Sequence, residues 1–195
     1  MGHYFEENPQ TAHNRKEISF RFSSVNYTFM TDSNLFSKDK VDTGTQILLD
    51  AVVKHGTGKK VLDLGCGYGV VGVVLNRTLG CDVDACDVNR RAVETSVSNA
   101  QRNNAKVHAV VSDGFEQLTD RYDDIVLNPP IRAGKAVIYR LFEESCQHLN
   151  EGGHLWIVIR KQHGALSAQK KLEEIFSEVK LVDRDKGFHV YMATR

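Results

Sequence analysis

The sequence predicts an α/β protein built on a doubly wound, mostly parallel sheet. From Lys59 onward, short apolar stretches of β-strand composition alternate with stretches whose apolar residues repeat every three to four positions. A glycine-rich turn, Gly65 to Gly69, directly follows the first of these strands, and polar residues follow each of the next three. Ligands bind such sheets at the carboxyl ends of the strands, so the same pattern predicts where the site lies.

The N-terminal quarter of the chain predicts a hairpin and one helix. Apolar residues alternate with polar ones over 18–22 and again over 27–29, the pattern of two short strands. A helical period then begins after Val41-Asp42-Thr43-Gly44 and ends near His55-Gly56. We therefore expect residues 1–56 to pack on a core that spans 57–195, in one compact domain.

The core elements follow in order along the chain. Strands are predicted at 61–64, 83–86, 107–111, 124–127, 154–159, 178–183 and 187–193. Helices are predicted at 70–79, after the N-cap residue Asn89, at about 135–149 and at about 165–176. Gly152-Gly153 is expected to separate the third of these helices from the next strand.

Composition excludes several classes of protein. The chain has 25 Lys and Arg residues and 25 Asp and Glu residues, so any basic surface must be local. Its four cysteines form no C-x-x-C pair and no zinc pattern, which favours reduced thiols, no metal and a cytoplasmic protein. The polar N-terminus predicts no signal peptide, and no apolar run is long enough to cross a membrane.

The glycine turn predicts a cradle for a nucleotide-type cofactor. Glycines let a backbone turn sharply and approach a ligand, and the helix after them offers free N–H groups. Gly67, Gly69 and Gly72 also form a G-x-G-x-x-G pattern with Asp87 20 residues beyond its first glycine, which leaves a dinucleotide site open. Asp63, however, would oppose a diphosphate and suits a ligand with an ammonium and a sulfonium group.

Polar strand ends extend this predicted site. Asp63, Asp87, Asp113 and Asn128 close or follow four consecutive predicted strands. Asp87 has the position of a carboxylate that accepts bonds from ribose hydroxyls. Asp113 is expected to accept from an adenine amino group while Gly114 or Phe115 donates a backbone N–H, although a plain turn carboxylate explains Asp113 nearly as well.

Asn128-Pro129-Pro130 is the predicted catalytic segment. Two prolines after a strand fix the backbone and remove two N–H donors, and the residue before them avoids the α region. The Asn128 side-chain oxygen and the Pro129 carbonyl then form two fixed acceptors, which suit a conjugated NH2 group. Holding both hydrogens aims the nitrogen lone pair at a methyl group and stabilises the developing positive charge.

Together these segments resemble the amino-methylating class I S-adenosylmethionine (SAM) methyltransferases. More narrowly, residues 31–38, 41–44 and 128–135 resemble the RsmC-like guanine-N2 methyltransferases of small-subunit ribosomal RNA. The resemblance covers nearly the whole chain. It implies a Rossmann-like sheet of seven strands with the last antiparallel, SAM as methyl donor, and guanine N2 of ribosomal RNA as acceptor.

The resemblance also implies a set of cofactor contacts. Phe36 and the segment 42–44 lie beside the cofactor in such proteins. The expected cofactor-binding residues are Phe36, Gly44, Asp63, Gly65, Cys66, Gly67, Tyr68, Gly69, Asp87, Val88, Asp113, Gly114 and Asn128.

Two departures from the family pattern limit what carries over. Many Asn-Pro-Pro enzymes continue with an aromatic residue that stacks on the flipped base, whereas Ile131 follows here. Longer members carry a second, degenerate domain before the catalytic one, and this chain matches only the catalytic half. If that domain recognises RNA, the target nucleotide cannot be inherited.

Local basic residues predict where RNA would bind. Arg132, Lys135, Arg160 and Lys161 follow strands at the expected site edge, and together with Ile131 they are the substrate candidates. Solvated surface charge explains Arg132, Arg160 and Lys161 equally well, and it is the preferred explanation for Arg140. The expected partner is ribosomal RNA or the small ribosomal subunit. The chain itself is expected to be a monomer.

Three other functions stay open. The Asn-Pro-Pro geometry suits an adenine or a protein glutamine as well as a guanine. A non-catalytic SAM-binding module and a nicotinamide-dependent reductase are also compatible with the glycine turn, although Asn128 argues against the first and Asp63 against the second.

Overall fold

The computed structural model describes residues 14–32, 35 and 39–195. The strands are β1 (Lys16–Phe22), β2 (Val25–Thr31), β3 (Lys60–Leu64), β4 (Asp82–Asp87), β5 (Val107–Val111), β6 (Tyr122–Leu127), β7 (Leu149–Arg160), β8 (Glu178–Asp185) and β9 (Phe188–Thr194). The helices are α1 (Thr43–His55), α2 (Val70–Leu79), α3 (Arg90–Arg102), α4 (Lys135–His148) and α5 (Ala165–Ile175), with short 3-10 turns at Ile131–Ala133 and Lys161–His163.

Seven strands form the central sheet in the order β5-β4-β3-β6-β7-β9-β8. Neighbours from β5 to β7 run parallel, whereas β9 runs antiparallel to both β7 and β8. The predicted fold, including the antiparallel last strand and the N-terminal hairpin, is confirmed. Strand order reverses between β3 and β6, so the loops after these two strands open a crevice at the centre of the sheet.

Helices cover both faces of the sheet. One buried apolar cluster joins α1, α2 and α3 to one face and to the hairpin, and a second joins α4 and α5 to the other face. The central strands are buried on both sides, which explains why apolar residues are adjacent, rather than alternating with polar ones, at Val61-Leu62 in β3 and Ile125-Val126-Leu127 in β6. Within the described residues, no helix is long and apolar enough to cross a membrane.

The hairpin β1–β2 is fastened to the core by two asparagines one helical turn apart at the end of α3. Asn99 accepts from the Met30 N–H at 2.8 Å and donates to the Met30 carbonyl at 2.9 Å. Asn103 makes the same pair of bonds with Thr28. Their side-chain amides thus bond to the backbone at the edge of β2 as a neighbouring strand would. Asn99 also donates to the Tyr68 carbonyl at 2.8 Å, which links the hairpin to the glycine turn.

One predicted boundary is wrong. Gly152 and Gly153 do not separate a helix from a strand but lie inside β7, which begins at Leu149 directly after α4. The pairing with β6 shifts between Tyr122 and Asp124, and a Cβ at Gly153 would lie 2.7 Å from the Asp123 carbonyl oxygen. The glycines therefore permit an irregular, close strand pairing that their usual role as breakers does not reveal.

We expect Asn99→Ala to destabilise the fold by about 2–3 kcal/mol, because it leaves partly buried backbone groups of Met30 and the buried carbonyl of Tyr68 without partners. Urea denaturation measures this loss. Gln101→Ala, on the exposed side of the same helix, is the control and should change the free energy of unfolding by less than about 0.5 kcal/mol. Equal effects of the two substitutions would contradict the role of Asn99.

Candidate active site

The glycine turn between β3 and α2 is held against the end of β4 by its own backbone. The N–H groups of Gly65 and Cys66 both donate to the Cys86 carbonyl at 2.9 Å, and the Gly69 N–H donates to the Cys66 carbonyl. The Gly67 N–H donates to Asp87 Oδ2 at 2.9 Å. These amides are occupied within the protein, which argues against a loop that binds a diphosphate through free N–H groups.

Two of the glycines are required for different reasons. Gly65 has φ +73° and a Cβ there would meet nothing within 4 Å, so the turn itself needs glycine while the space in front stays open. Gly69 has φ +91°, and a Cβ there would lie 2.4 Å from Ser96 Oγ. Gly69 therefore permits both the turn and the contact with α3.

Asp63 lies beneath this turn rather than at its surface. The residue is 3% exposed, and Oδ2 accepts the Gly72 N–H at 2.8 Å. Burial raises the pKa of Asp63 to about 7, the Gly72 hydrogen bond opposes this rise, and the charge of Asp87 adds to it. The expectation of a free helix N-terminus is wrong at Gly72, because Asp63 already binds that amide.

Asp87 connects the glycine turn to the start of α3. Its two carboxylate oxygens accept from the Gly67 N–H and the Asn89 N–H, both at 2.9 Å. Asn89 caps α3 as predicted and accepts from Arg91 and Ala92. A carboxylate oxygen can accept more than one hydrogen bond, so these contacts are compatible with the predicted bonds to a ribose.

At the end of β5, Asp113 forms an ion pair with Arg140 that the sequence does not predict. Asp113 is half-exposed and bonds through Oδ1 to Arg140 at 2.6 Å, and Arg140 also bonds to Glu144 at 3.1 Å. Arg140 is thus an ion-paired residue of α4 rather than a freely solvated charge. Any bond from Asp113 to an adenine amino group would use a carboxylate that Arg140 already holds in place.

Asn128 lies at the end of β6 with its amide nitrogen turned toward α1. Nδ2 donates to Thr45 Oγ1 at 3.0 Å and to Asp42 Oδ2 at 3.3 Å. No donor in the described part of the chain reaches Asn128 Oδ1 or the Pro129 carbonyl. The two predicted acceptors are therefore available, while the Pro130 carbonyl accepts from Ala133 in the following 3-10 turn.

Asp42 and Thr45 contact Asn128, although no pattern in the sequence singles out either residue for that role. Asp42 is the N-cap of α1, and its Oδ2 accepts the Thr45 N–H at 3.1 Å. The segment 41–44 belongs to the family pattern, but only the fold brings it beside Asn128. A Cβ at Gly44 would lie 2.8 Å from the Phe188 ring and 2.9 Å from Asp42 Oδ2, so the close packing of this segment requires glycine.

The rim of the site is basic. Ile131 and Arg132 are exposed in the 3-10 turn after Asn128, and Lys135 is exposed at the start of α4. Arg160 is exposed at the end of β7, and Lys161 directly follows it. The Arg160 guanidinium lies 4.4 Å from the centre of the Phe188 ring, another residue that no sequence motif marks.

The remaining expected cofactor contacts are distributed around the glycine turn. Phe36 lies outside the described residues. Cys66 and Tyr68 are buried, and burial raises the pKa of both side chains, so neither ionises near neutral pH. Val88 and Gly114 follow the ends of β4 and β5. Cofactor contact at all these positions stays a prediction.

The sequence profile of the family described as "Methyltransferase small domain" matches residues 26–192. The chain belongs to this family. Among its relatives, an uncharacterised Bacillus subtilis protein, YbxB, is 41% identical over 99% of this chain and 98% of its own length. The small-subunit ribosomal RNA methyltransferase C of Alcanivorax borkumensis is 34% identical over 82% of this chain and 50% of its own length.

A solved methyltransferase structure shares the fold of this chain. The T. thermophilus 16S rRNA N2 G1207 methyltransferase, in complex with AdoMet and guanosine, is 29% identical with a TM-score of 0.85, over 96% of this chain and 52% of its own. The chain thus spans about half the length of its methyltransferase C relatives. A methyltransferase fold whose relative holds AdoMet (SAM) agrees with the predicted cofactor.

The residues at the strand ends fit a cationic nucleoside cofactor. The crevice has open space in front of Gly65 and carboxylates at Asp87 and Asp113, with the buried Asp63 beneath the turn, whereas several turn amides are already bonded. Carboxylates match hydroxyl, amino and sulfonium groups better than phosphates. The described ranges contain no cluster of three or more His, Cys, Asp or Glu side chains that could hold a metal ion.

Asp63→Asn should change how stability depends on pH. The wild-type carboxyl has a pKa of about 7 in the folded protein against an ordinary value of 3.8, so the folded state binds more protons between these values. Its stabilising contribution is complete below about pH 4 and is lost as the pH rises through 7. The free energy of unfolding of the variant, taken relative to that of the wild type, should therefore rise by about 2–3 kcal/mol from pH 5 to pH 8.

Urea denaturation at several pH values measures this gain. Glu116→Gln removes an exposed carboxylate and is the matched control, which should parallel the wild type. Parallel curves for Asp63→Asn and the wild type would show that the buried carboxyl has an ordinary pKa.

Proposed function

We propose that this protein is a SAM-dependent N-methyltransferase that methylates the exocyclic N2 of a guanine in ribosomal RNA. The observation that carries the proposal is the end of β6, where Asn128 Oδ1 and the Pro129 carbonyl are available acceptors and Asn128 Nδ2 is already engaged. Two fixed acceptors on one rigid segment suit an NH2 group whose lone pair is conjugated.

The chain's own residues contribute orientation and electrostatics. When bound, SAM supplies an electrophilic methyl group. Asn128 and Pro129 hold the two hydrogens of the acceptor, which turns the nitrogen lone pair toward the glycine turn and stabilises positive charge on nitrogen. Asp87 binds the ribose of the cofactor, and Asp63 provides negative charge beneath the turn. The acceptor proton leaves to solvent after transfer, so no strong base is required.

The choice of ribosomal RNA rests on relatives. Proteins named ribosomal RNA small subunit methyltransferase C are 32–34% identical to the chain. A protein named ribosomal RNA large subunit methyltransferase G is 29% identical over 91% of this chain. The exposed residues Arg132, Lys135, Arg160 and Lys161 supply phosphate contacts at the rim.

The wall of the acceptor pocket must differ from that of enzymes with an aromatic after Asn-Pro-Pro. Ile131 is 37% exposed at that position and offers an apolar contact to a base. Arg160, supported by Phe188, offers a planar guanidinium on the same edge of the sheet. Together they provide the contacts that the missing aromatic ring would give.

The experiment is transfer of a tritiated methyl group from SAM to ribosomal RNA, to intact small subunits and to a protein extract, followed by digestion of the product. Label in N2-methylguanosine is the expected result. Label in N6-methyladenosine or in glutamine would retain the mechanism and replace the substrate. Tight binding of SAM without transfer to any acceptor would instead favour the non-catalytic module.

Asn128→Ala and Asp87→Ala should separate chemistry from cofactor binding. Removing one fixed polar stabiliser raises the methylation barrier by about 2–4 kcal/mol, so Asn128→Ala should lower kcat strongly and leave the Kd for SAM nearly unchanged. Asp87→Ala should mainly weaken SAM binding, because it removes the ribose acceptor and loosens the Gly67 amide. Calorimetry and single-turnover methylation measure the two effects, and full activity of Asn128→Ala would refute the mechanism.

A further inference from the structure

We infer that Asp42 is a positioning residue that fixes which side of the Asn128 amide faces the acceptor. The inference rests on the proposed function, in which Asn128 Oδ1 accepts from an NH2 group. It concerns the hydrogen bonds between the start of α1 and the end of β6, two segments 86 residues apart in the chain.

The nitrogen side of the Asn128 amide is fully engaged. Nδ2 carries two hydrogens, and it has two acceptors, Thr45 Oγ1 at 3.0 Å and Asp42 Oδ2 at 3.3 Å. Both hydrogens therefore have partners on α1, and Oδ1 is the side of the amide that is left for a substrate.

Asp42 determines this orientation more strictly than Thr45 does. An ionised carboxylate only accepts hydrogen bonds, so a flipped amide would place Asn128 Oδ1 against Asp42 Oδ2 and lose a bond. The Thr45 hydroxyl can accept or donate and therefore tolerates either orientation. A flipped Asn128 would present hydrogens to the incoming NH2 group and could not hold it.

The position of Asp42 is itself fixed by the helix. Its Oδ2 accepts the Thr45 N–H at 3.1 Å, and its carbonyl accepts the Gln46 N–H at 3.0 Å as the N-cap of α1. Gly44 leaves room for Oδ2, since a Cβ there would lie 2.9 Å from this atom. Asp42 Oδ2, the oxygen that caps α1, is thus also the oxygen that orients the Asn128 amide.

A matched pair of variants separates the two roles of Asp42. Serine and asparagine are both good N-cap residues, so Asp42→Ser and Asp42→Asn should each keep α1 and the stability of the fold. Asparagine can still accept from Asn128 Nδ2 through Oδ1, because Thr45 N–H and Asn128 are both donors. Serine is too short to cap the helix and reach Asn128 at the same time.

We expect Asp42→Ser to lower kcat by about 10- to 100-fold, the range for a misplaced catalytic group. Asp42→Asn should retain kcat within about threefold of the wild type, and the Kd for SAM should be similar in both variants. In an Asn128→Ala background, Asp42→Ser should have no further effect, because its partner is absent.

The hydrogen bond can also be observed without any methyl transfer. The side-chain NH2 signal of Asn128, assigned by its loss in Asn128→Ala, should exchange with solvent about tenfold more slowly in the wild type and Asp42→Asn than in Asp42→Ser. This measurement tests the contact even if the substrate is not ribosomal RNA.

The outcomes distinguish the inference from the function on which it rests. Full activity of Asn128→Ala would overturn the proposed mechanism. The exchange measurement would then still show whether Asp42 and Asn128 are hydrogen-bonded. Loss of activity in Asn128→Ala with a wild-type kcat in Asp42→Ser would overturn the inference alone. Equal loss in Asp42→Ser and Asp42→Asn, or a further loss from Asp42→Ser in the Asn128→Ala background, would also overturn it.

Discussion

The site depends on carboxylates that accept backbone N–H groups of the glycine turn and of α2. Asp87 holds Gly67, and Asp63 holds Gly72, so strands β3 and β4 determine the path of the loop between β3 and α2. The loop backbone adds its own bonds to the Cys86 carbonyl. The glycines of this turn adopt positive φ without strain but lose conformational entropy when they are ordered, and these contacts hold them in place before any ligand arrives. The crevice is therefore largely preformed.

Placing two carboxylates beneath the turn has an electrostatic consequence. Burial and the charge of Asp87 raise the pKa of Asp63 to about 7, so the ionised form is costly in the free protein. A cationic ligand in the crevice would favour that ionised form. Binding of such a ligand and deprotonation of Asp63 should therefore favour each other. A diphosphate would instead favour the protonated form of Asp63.

The sequence predicts the fold well because its signals are local. Apolar strands buried on both faces, helical periods and the turn chemistry of Gly65 to Gly69 all lie within short segments. The prediction fails at Gly152 and Gly153 because glycine marks both a strand break and a close strand pairing, and only the Asp123 carbonyl opposite distinguishes them. The contacts of Asn128 with Asp42 and Thr45 join positions more than 80 residues apart, and no local pattern reveals them.

Helix α1 links the two halves of the proposed chemistry. Its first turn contacts Asn128 through Asp42 and Thr45, and Gly44 packs on Phe188 at the start of β9, whose ring also carries the guanidinium of Arg160. The proposed acceptor site thus lies between the end of β6 on one side and β7 and β9 on the other. Because one capped helix turn contacts the end of β6 and the start of β9, a change in the α1 N-terminus would alter both the orientation of Asn128 and the rim proposed to receive the base. In the proposed function, α1 and the C-terminal strands accordingly set the substrate side of the site, and the glycine turn and β4 set the cofactor side.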